Sequence, residues 1–400
     1  MRAPILMTLA AVSMGCGGPS STAGSNRDGG RDATVDAGPL GVDSGGGVDA
    51  GNPGQSGAPG AADSGSTSDR GGSGSDSSSG SDSSSGSDNV GTPVTLAAGQ
   101  VEPCAIVVDP TSVYWTDIGT GTVMRVALDG GTPSALVSGQ AGPCPIAVDA
   151  LNVYWTNGNV VSGGTVMKAP LDGGAPITLA SGQIRPLAIA VDSTSVYWAT
   201  LGTNGGALMK VPLGGGVPPA TLTPGDLISA SAIAVDGTSV YWTNGSAVMR
   251  VPLSGTPSLG QCSDCTLVSG QASSYAIAVN AMNVYWTDLG NSASVVGTGT
   301  VMTVPTDGGA PITLAAGQIQ PSAIAVDGTS VYWVTGGDVG NGCGGPCGLV
   351  MKAPLDGGMP TMLASGQDRP QAIAVDSTSV YWATIGASND GGAVMKLTPK

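Results

Sequence analysis

Seven Asp or Asn residues have the type and spacing to do chemistry, because each ends a short apolar segment of similar sequence. They are Asp109, Asp149, Asp192, Asp236, Asn280, Asp327 and Asp376. Carboxylate and amide oxygens suit Ca²⁺ or a cationic ligand. In the structural alternative each residue caps a tight turn, since Asp and Asn accept hydrogen bonds from nearby backbone N–H groups. We expect the structural role, keep Ca²⁺ as the alternative, and expect no other cofactor.

Composition excludes several other chemistries. The chain has 400 residues, no His and a formal net charge of −15. Without His there is no His-dependent catalysis and no His-ligated metal, and Glu102 is the single Glu. The excess of negative charge argues against nucleic-acid binding. With 67 Gly and 28 Pro, the chain is also too rich in helix-breaking residues for a helical fold.

A Tyr-Trp pair recurs seven times and defines seven repeat units, numbered here 1 to 7 along the chain. Each unit holds the same four segments of β-forming residues, separated by turn residues. Four short strands in 40 to 50 residues are typical of a β-propeller blade. The Trp residues of the seven pairs are Trp115, Trp155, Trp198, Trp242, Trp286, Trp333 and Trp382.

The strand count predicts how the array closes. The first three strand types occur seven times, and the fourth occurs six times after units 1 to 6. A stray fourth strand lies at residues 92–100, ahead of unit 1. The sequence therefore predicts an all-β, seven-bladed β-propeller with four antiparallel strands per blade, in which strand 92–100 completes the C-terminal blade. Such closure removes exposed sheet edges.

Residue types fit positions within such a blade. The first strand, typified by Ala-Ile-Ala-Val, has the smallest side chains and is expected nearest the axis. The seven Asp and Asn residues would then ring one mouth of the central channel. Tyr and Trp are adjacent in a strand and project to opposite faces, so we expect the seven Trp side chains to act as wedges between blades. A carbohydrate site on these aromatic pairs is the alternative.

The segment from Pro103 to Tyr114-Trp115-Thr116-Asp117 resembles the YWTD propeller repeats of the LDL-receptor family, and bacterial lipoproteins with YWTD-like repeats are similar too. The resemblance covers residues 92–400 and implies a propeller that serves as a binding or conformational module. The chain departs from the family pattern. It counts seven units where those receptors have six blades, and only Asp117 and Asp288 keep the final Asp.

Six Cys residues remain when Cys16 is set aside, and they suggest disulfides. Cys104 and Cys144 begin the first strands of units 1 and 2, so a bridge between those blades is predicted. Cys262 is expected to pair with Cys265, and Cys343 with Cys347, each within its own loop. A zinc site built from these last four Cys is the alternative. The two loops would emerge on opposite faces of a propeller, so we predict no metal site.

The N-terminus predicts export and a lipid anchor. A basic start, an apolar run and small residues before Cys16 are typical of a lipoprotein signal peptide over residues 1–15, with the lipid on Cys16. An ordinary signal peptide is the alternative. Residues 16–91 hold too few apolar side chains to fold and predict a disordered, Gly/Ser/Asp-rich tether before the propeller at 92–400. The expected location is the outer membrane or cell surface of a Gram-negative bacterium.

From these features we expect a non-catalytic binding or scaffolding module, and not an enzyme. The expected contacts are the membrane, through the lipid anchor only, and an unidentified protein or glycan ligand. We expect no nucleic acid and a monomeric chain. Variable loops at 291–299 and 336–348 are the expected recognition segments. The alternative is a propeller enzyme of lyase or hydrolase type with a metal in the central channel.

Overall fold

The computed structural model describes residues 91–158, 163–201, 206–224, 230–255, 265–290, 297–336, 348–386 and 391–400. The predicted signal peptide, Cys16 and the tether up to residue 90 lie outside these ranges. So do Cys262, Cys343, Cys347 and most of the two variable loops. Within the described ranges the chain is all-β, with no helix that could cross a membrane.

Twenty-seven strands make up the described chain, and their order follows the repeat. The strand that precedes unit 1 is β1 (Val94–Gln100). Units 1 to 3 contain β2 (Pro103–Val108), β3 (Ser112–Asp117), β4 (Thr122–Ala127), β5 (Ser134–Val137), β6 (Pro143–Val148), β7 (Asn152–Asn157), β8 (Gly164–Pro170), β9 (Ile177–Gln183), β10 (Pro186–Val191), β11 (Ser195–Thr200), β12 (Ala207–Pro212) and β13 (Ala220–Pro224).

The second half of the chain repeats the same pattern. Units 4 and 5 contain β14 (Ala232–Val235), β15 (Ser239–Thr243), β16 (Gly245–Pro252), β17 (Thr266–Val279), β18 (Asn283–Asp288), β19 (Gly299–Pro305) and β20 (Ile312–Gln318). Units 6 and 7 contain β21 (Pro321–Val326), β22 (Ser330–Thr335), β23 (Gly348–Pro354), β24 (Thr361–Gln367), β25 (Pro370–Val375), β26 (Val380–Thr384) and β27 (Gly392–Leu397).

The strands pair into antiparallel sheets, five with four strands and one with seven. The seven-stranded sheet arises because β17 is continuous, so that its first half pairs with β16 and its second half with β18. Most units begin their first strand with Pro, which interrupts a sheet ladder. Ser274 stands at that position in unit 5, and the strand runs through. The N-terminal β1 pairs with the last strand, β27, in the order β1-β27-β26-β25.

The first strands of the units lie side by side in one series. β2 contacts β6, and the contacts continue through β10, β14, the second half of β17, β21 and β25. The two ends of the series also meet, since β2 contacts β25. The first strand of each unit therefore has a first strand on both sides.

The aromatic side chains pack between neighbouring units. Tyr114 of unit 1 shares a buried cluster with Trp155 of unit 2, and Tyr154 of unit 2 shares the next cluster with Trp198. Every one of the seven Trp side chains is at most 1% exposed. Each Trp therefore packs against the Tyr of the preceding unit, and the rings fill the space between sheets.

Hydrogen bonds join the same pairs of units. In six units the indole Nε1–H of the Trp donates to the side-chain Oε1 of the Gln fifteen residues earlier, at 2.7 to 3.0 Å. This Gln lies shortly before the first strand of the same unit. Third-strand cations make a second link. For example, Lys168 Nζ donates to the Leu213 carbonyl of the next unit at 2.7 Å. Lys396 of unit 7 does the same to Leu128 of unit 1 at 2.7 Å.

Unit 4 lacks the Trp–Gln bond. Trp242 Nε1 is buried and has no hydrogen-bond partner within the described chain. Thr223, which stands where most other units have Ala, has a buried hydroxyl that is also unpartnered there. Among the described residues, Trp242 is therefore the one Trp whose indole N–H lacks a Gln acceptor.

The Trp–Gln bond can be tested at Gln183, which accepts from Trp198 at 2.9 Å. Gln183→Met should lower the free energy of unfolding by about 1 to 3 kcal/mol, since it leaves a buried N–H without an acceptor. Urea unfolding measures the change. The matched control is Gln320→Met, because the Gln320 side chain makes no hydrogen bond to the described residues. It should change stability by less than about 0.5 kcal/mol. Equal losses in both variants would contradict this role of the bond.

Candidate functional site on the loop face

Each sheet has two ends, named here by what they carry. At the turn face the first strand ends and the second begins, as at Val108 opposite Val113. At the loop face the first strand begins and the second ends, as at Pro103 opposite Asp117. The connections between second and third strands also emerge at the loop face.

The seven predicted Asp and Asn residues all lie at the turn face and cap turns. Asp192 is representative. Its Oδ1 accepts from the backbone N–H groups of Thr194 and Ser195 at 2.7 and 2.8 Å. Its Oδ2 accepts from the Tyr197 hydroxyl at 2.8 Å. Both carboxylate oxygens are therefore occupied by donors of the same unit.

Asn280 makes the equivalent turn, but its hydrogen bond with the Tyr hydroxyl runs in the opposite direction. Its Oδ1 accepts from the N–H groups of Met282 and Asn283, and its Nδ2 donates to the Tyr285 hydroxyl at 3.2 Å. Nowhere in the described chain do three Asp, Glu or Cys side chains come together as metal ligands would. The donor set at the turn face therefore fits turn capping and does not fit a Ca²⁺ site.

Burial and the Asp partners hold the turn-face Tyr hydroxyls in the neutral form. Burial raises the pKa of Tyr197, and the hydrogen bond to Asp192 raises it further. The same two causes, burial first and Asp236 second, raise the pKa of Tyr241 to about 12. Deprotonation of Tyr197 and Tyr241 is therefore disfavoured in the folded chain.

The C-terminal Lys400 closes the turn face between units 6 and 7. Its Nζ lies 2.5 Å from Asp327 Oδ2, donates to the Asp376 carbonyl, and lies 5.0 Å from the centre of the Tyr332 ring. Burial tends to raise the pKa of Asp327, but the hydrogen bonds from Lys400 and from backbone N–H groups lower it on balance. This is the one ion pair within the described residues.

The loop face carries a different set, the second residues of the seven first strands. We call them the mouth ring, and most are half-buried. Unlike the rest of the repeat they differ from unit to unit, being Cys104, Cys144, Leu187, Ser231, Tyr275, Ser322 and Gln371.

Several mouth-ring residues join neighbouring units. Cys104 and Cys144 form a disulfide with a Cα–Cα distance of 5.3 Å. Ser322 Oγ donates to the Pro370 carbonyl of unit 7 at 3.4 Å, and Gln371 Nε2 donates to the Pro103 carbonyl of unit 1 at 2.6 Å. Away from the ring, Cys265 is disulfide-bonded, and its predicted partner lies outside the described residues.

Beside the mouth ring lies an unusual backbone feature. The described chain has four non-glycine residues in the left-handed conformation, and all occupy one repeat position, directly before the Pro that begins a first strand. They are half-buried and are Glu102 (φ 59°), Arg185 (φ 43°), Gln320 (φ 46°) and Arg369 (φ 52°). Left-handed backbone costs a non-glycine residue about 1 kcal/mol or more, and a following Pro favours extended backbone instead.

Glycine would suit this position better, and the chain uses it at comparable places. In unit 2 the same position is Gly142, at φ 65° with open space around it. Near the end of the outer strands, left-handed residues such as Gly99 and Gly182 are glycine even though a Cβ would meet nothing. Glu, Arg, Gln and Arg are therefore present at the four positions for their side chains and against the backbone preference.

Three of these four side chains make no internal hydrogen bond or ion pair among the described residues. Glu102, Arg185 and Gln320 have no side-chain hydrogen bond or ion pair to any described residue. The Nε–H of Arg185 is in addition buried. Arg369 differs, since its guanidinium donates to the Gly386 carbonyl, with an Nε–O distance of 2.8 Å. The loop face thus presents a free carboxylate, a free guanidinium and a free amide around the mouth ring.

Sequence reasoning missed these four residues. Backbone conformation is not visible in a sequence, and a residue before Pro is expected to be extended. One signal was available. The residue before the Pro differs between units, which is typical of a position that the fold does not fix. The turn-face Asp recurs in nearly every unit because it caps a turn.

Comparison with known proteins supports the fold. The chain resembles a streptogramin B lyase structure at 13% identity and a TM-score of 0.58, over 78% of this chain and 98% of that chain. It resembles a GH74 enzyme of Niastella koreensis at 14% identity and a TM-score of 0.54, over 76% of this chain and 53% of that one. No protein-family model and no curated protein matches the chain.

A computationally designed protein, Ika8, is similar at 15% identity and a TM-score of 0.51, over 75% of this chain and 98% of that chain. Identities this low establish the fold alone. The chain is all-β, with four-stranded antiparallel sheets arranged as in β-propeller proteins.

These neighbours correct one expectation from the sequence. A non-catalytic binding or scaffolding module, and not an enzyme, was expected, and that expectation is wrong, because the structures that share the fold include a lyase and a GH74 enzyme. The expectation rested on the missing His and on the lack of a catalytic motif. A carboxylate and a guanidinium can act as base and anion binder without His, and here the fold brings them to one face.

The capping role of the turn-face acids can be tested at Asp192. Asp192→Asn should change the free energy of unfolding by less than about 1 kcal/mol, because Asn280 already makes the same turn. Asp192→Ala should lower it by about 1 to 3 kcal/mol, since four donors lose their acceptor. Both values come from urea unfolding. If Asn were as damaging as Ala, the charge itself would be needed and capping would not explain the residue.

The Tyr hydroxyls predict the response to alkali. A raised folded-state pKa means that their contribution to stability is complete below the ordinary tyrosine pKa of about 10. It is lost as the pH rises toward the folded value, about 12 for Tyr241. Tyrosinate absorbance and β-sheet circular dichroism should therefore change together in an alkaline titration. Ionisation of most Tyr near pH 10 with the sheet signal intact would contradict this.

Proposed function

We propose that the chain is a propeller enzyme of lyase or hydrolase type that binds its substrate on the loop face. The observation that carries this is the set of four left-handed, non-glycine residues around the mouth ring. Polar side chains at the other recurring positions of the repeat mostly form hydrogen bonds that cap turns or join neighbouring units. At this position the side chains are chemically distinct, strained in backbone and mostly unpartnered.

The scaffold that we propose is a closed, seven-bladed β-propeller with β1 completing the last blade. Three observations support it. β1 pairs with β27, β2 contacts β25, and the Trp115 indole of unit 1 donates to Gln100 of β1 at 2.9 Å. A closed ring would hold the loop-face residues at fixed positions around a common axis, which favours precise placement of catalytic groups.

Glu102 is the proposed general base. Its carboxylate is half-buried and has no partner in the described chain, so it is free to accept a proton. In hydrolysis it would take a proton from a water molecule, whose oxygen attacks the carbonyl or acetal carbon. The bond to the leaving group breaks, and the protonated Glu102 carboxyl gives its proton to the leaving-group oxygen. In elimination it would take a proton from the carbon next to a carbonyl, and the electron pair released forms a double bond as the leaving group departs.

No step of this proposal uses a metal. The sequence-based alternative placed a metal in the central channel, but the described residues bring no three acidic or Cys side chains together. Glu102 belongs to unit 1 and Arg185 to unit 3. No carboxylate of the described chain lies within ion-pair distance of Arg185. The proposed chemistry therefore depends on a carboxylate base and on cationic binding groups.

The proposal on location is unchanged from the sequence. The apolar N-terminal run and Cys16 support an exported enzyme that is lipid-anchored at the outer membrane or cell surface. A tether of Gly, Ser and Asp would hold the propeller away from the membrane. Substrates would then be molecules of the envelope or of the surrounding medium.

Glu102→Gly tests the proposed base without damaging the fold. Gly adopts the left-handed backbone without strain, which stabilises the folded state. Gly also gives the unfolded chain more conformational freedom, which stabilises the unfolded state. Because these effects oppose each other, the free energy of unfolding should stay within about 1 kcal/mol of wild type. Turnover should fall by about 100-fold or more in kcat/KM, as loss of a general base does. The substrates are aryl esters and aryl glycosides for hydrolysis, and esters with an acidic α-hydrogen for elimination, all followed by absorbance.

The control removes a carboxylate of the same unit outside the loop face. Asp129→Asn changes an exposed side chain at the turn face and should keep turnover within a few-fold of wild type. The proposed base is rejected if Glu102→Gly retains full turnover, and the enzyme proposal is rejected if the wild-type protein converts none of the panel.

A further inference from the structure

We propose that the loop-face site recognises an oxyanion of its substrate, a carboxylate or a phosphate, through the guanidinium of Arg185. This inference deepens the proposed function, since it names the chemical class of the substrate. It rests on the unpartnered Nε–H of Arg185 and on the lack of a carboxylate close to its guanidinium in the described chain.

Arg185 is placed to bind something outside the described chain. Its backbone is left-handed at φ 43°, so its presence opposes the local backbone preference. Its Nε–H is buried and has no acceptor among the described residues. A buried N–H without an acceptor costs about 1 to 3 kcal/mol, and an oxyanion would satisfy it. A guanidinium presents a planar fork of donors that matches two oxygens of a carboxylate or phosphate.

Most other cations of the described repeat bind carbonyls. On the third strands, Arg125 donates to the Leu171 carbonyl and Lys210 to the Leu253 carbonyl, each joining two units. Arg369, at the same turn position as Arg185, is held by the Gly386 carbonyl. Lys352 makes no such bond in the described chain either, but it lies in the second half of β23 opposite Tyr332, away from the loop face. Arg185 is therefore the loop-face cation available to a ligand.

The net negative charge of the chain distinguishes Arg185 from its surroundings. The chain has 28 acidic and 13 basic residues, so its overall field repels anions. Even so, no carboxylate of the described chain lies within 4.0 Å of Arg185. A free guanidinium in an acidic protein is a local attractive site for an anion.

The neighbouring mouth-ring residues add to the description of the ligand. Two residues beyond Arg185 is Leu187, half-buried and apolar, and Ser231 holds the equivalent position in the next unit. Tyr275 follows one unit further and is also half-buried. An oxyanion attached to a partly apolar body fits an arginine beside such residues. In an elimination, a carboxylate bound in this way would also acidify the neighbouring C–H for a base.

The test measures binding directly, with or without turnover. Inorganic phosphate and benzoate are titrated into the full-length protein and followed by calorimetry or by NMR of the ligand. Arg185→Gly should weaken the binding of at least one probe by about tenfold or more, because a charge-assisted hydrogen-bond pair is lost. Thermal unfolding should be nearly unchanged, since Gly suits the backbone. The probe that binds distinguishes a phosphate-bearing from a carboxylate-bearing substrate.

Two matched variants separate this proposal from the proposed function. Lys352→Gln removes one positive charge from the third strand of unit 6, away from the loop face, and should bind the probes as wild type does. Glu102→Gly should bind them equally well or more tightly, since it removes a negative charge from the loop face, even though its turnover is lost. The anion site is overturned if wild type binds neither probe at millimolar concentration, or if Arg185→Gly binds as wild type does.

Discussion

The structure depends on the burial of one large aromatic ring between each pair of adjacent sheets. A four-stranded sheet of this composition cannot cover its own Trp, because Tyr and Trp of the same strand project to opposite faces. Each Trp is instead covered by the Tyr-bearing face of the preceding unit, as Trp155 is covered beside Tyr114. A unit at the end of an open row would leave one of these faces in water. The pairing of β1 with β27 puts a sheet on the far side of unit 1, where Trp115 would otherwise be exposed.

This packing divides the molecule into a constant part and a variable part. At the turn face the Asp–Tyr pair and the backbone of the turn form a closed hydrogen-bonded unit, and almost every sheet repeats it with the same residues. At the loop face the second residue of each first strand and the residue that precedes the strand are free to differ, because the Trp–Tyr packing does not use them. Sequence variation is therefore concentrated at one end of a scaffold whose other end is nearly constant, as expected when sites are carried on a rigid framework.

Much of the scaffold could be predicted from the sequence, and the site could not. The Tyr-Trp spacing and the turn residues between β-forming segments predicted the strands, and the duplicate of the outer strand at residues 92–100 predicted the pairing of the two ends. The continuous β17 was not anticipated; it coincides with Ser274 at the position where most first strands begin with Pro. The loop-face residues could not be predicted because two structural properties distinguish Glu102 and Arg185. One is a left-handed backbone and the other is the lack of hydrogen-bond partners in the described chain. Residue type alone predicts neither property. The absence of His was given too much weight, since it excludes one kind of base and not catalysis as a whole.

The boundary between units 3 and 4 has a mechanical consequence. In the closed ring proposed above, one boundary must open before any sheet can separate, and opening requires less free energy where an indole–Gln bond is missing. Among the described residues, Trp242 lacks the indole bond that the other Trp residues make, and the nearby Thr223 hydroxyl is buried without a partner. Amide hydrogens around β15 would then exchange with solvent ahead of those of β1 and β27, where Trp115 keeps its bond to Gln100. The pairing of β1 with β27 would belong to the more persistent part of the structure.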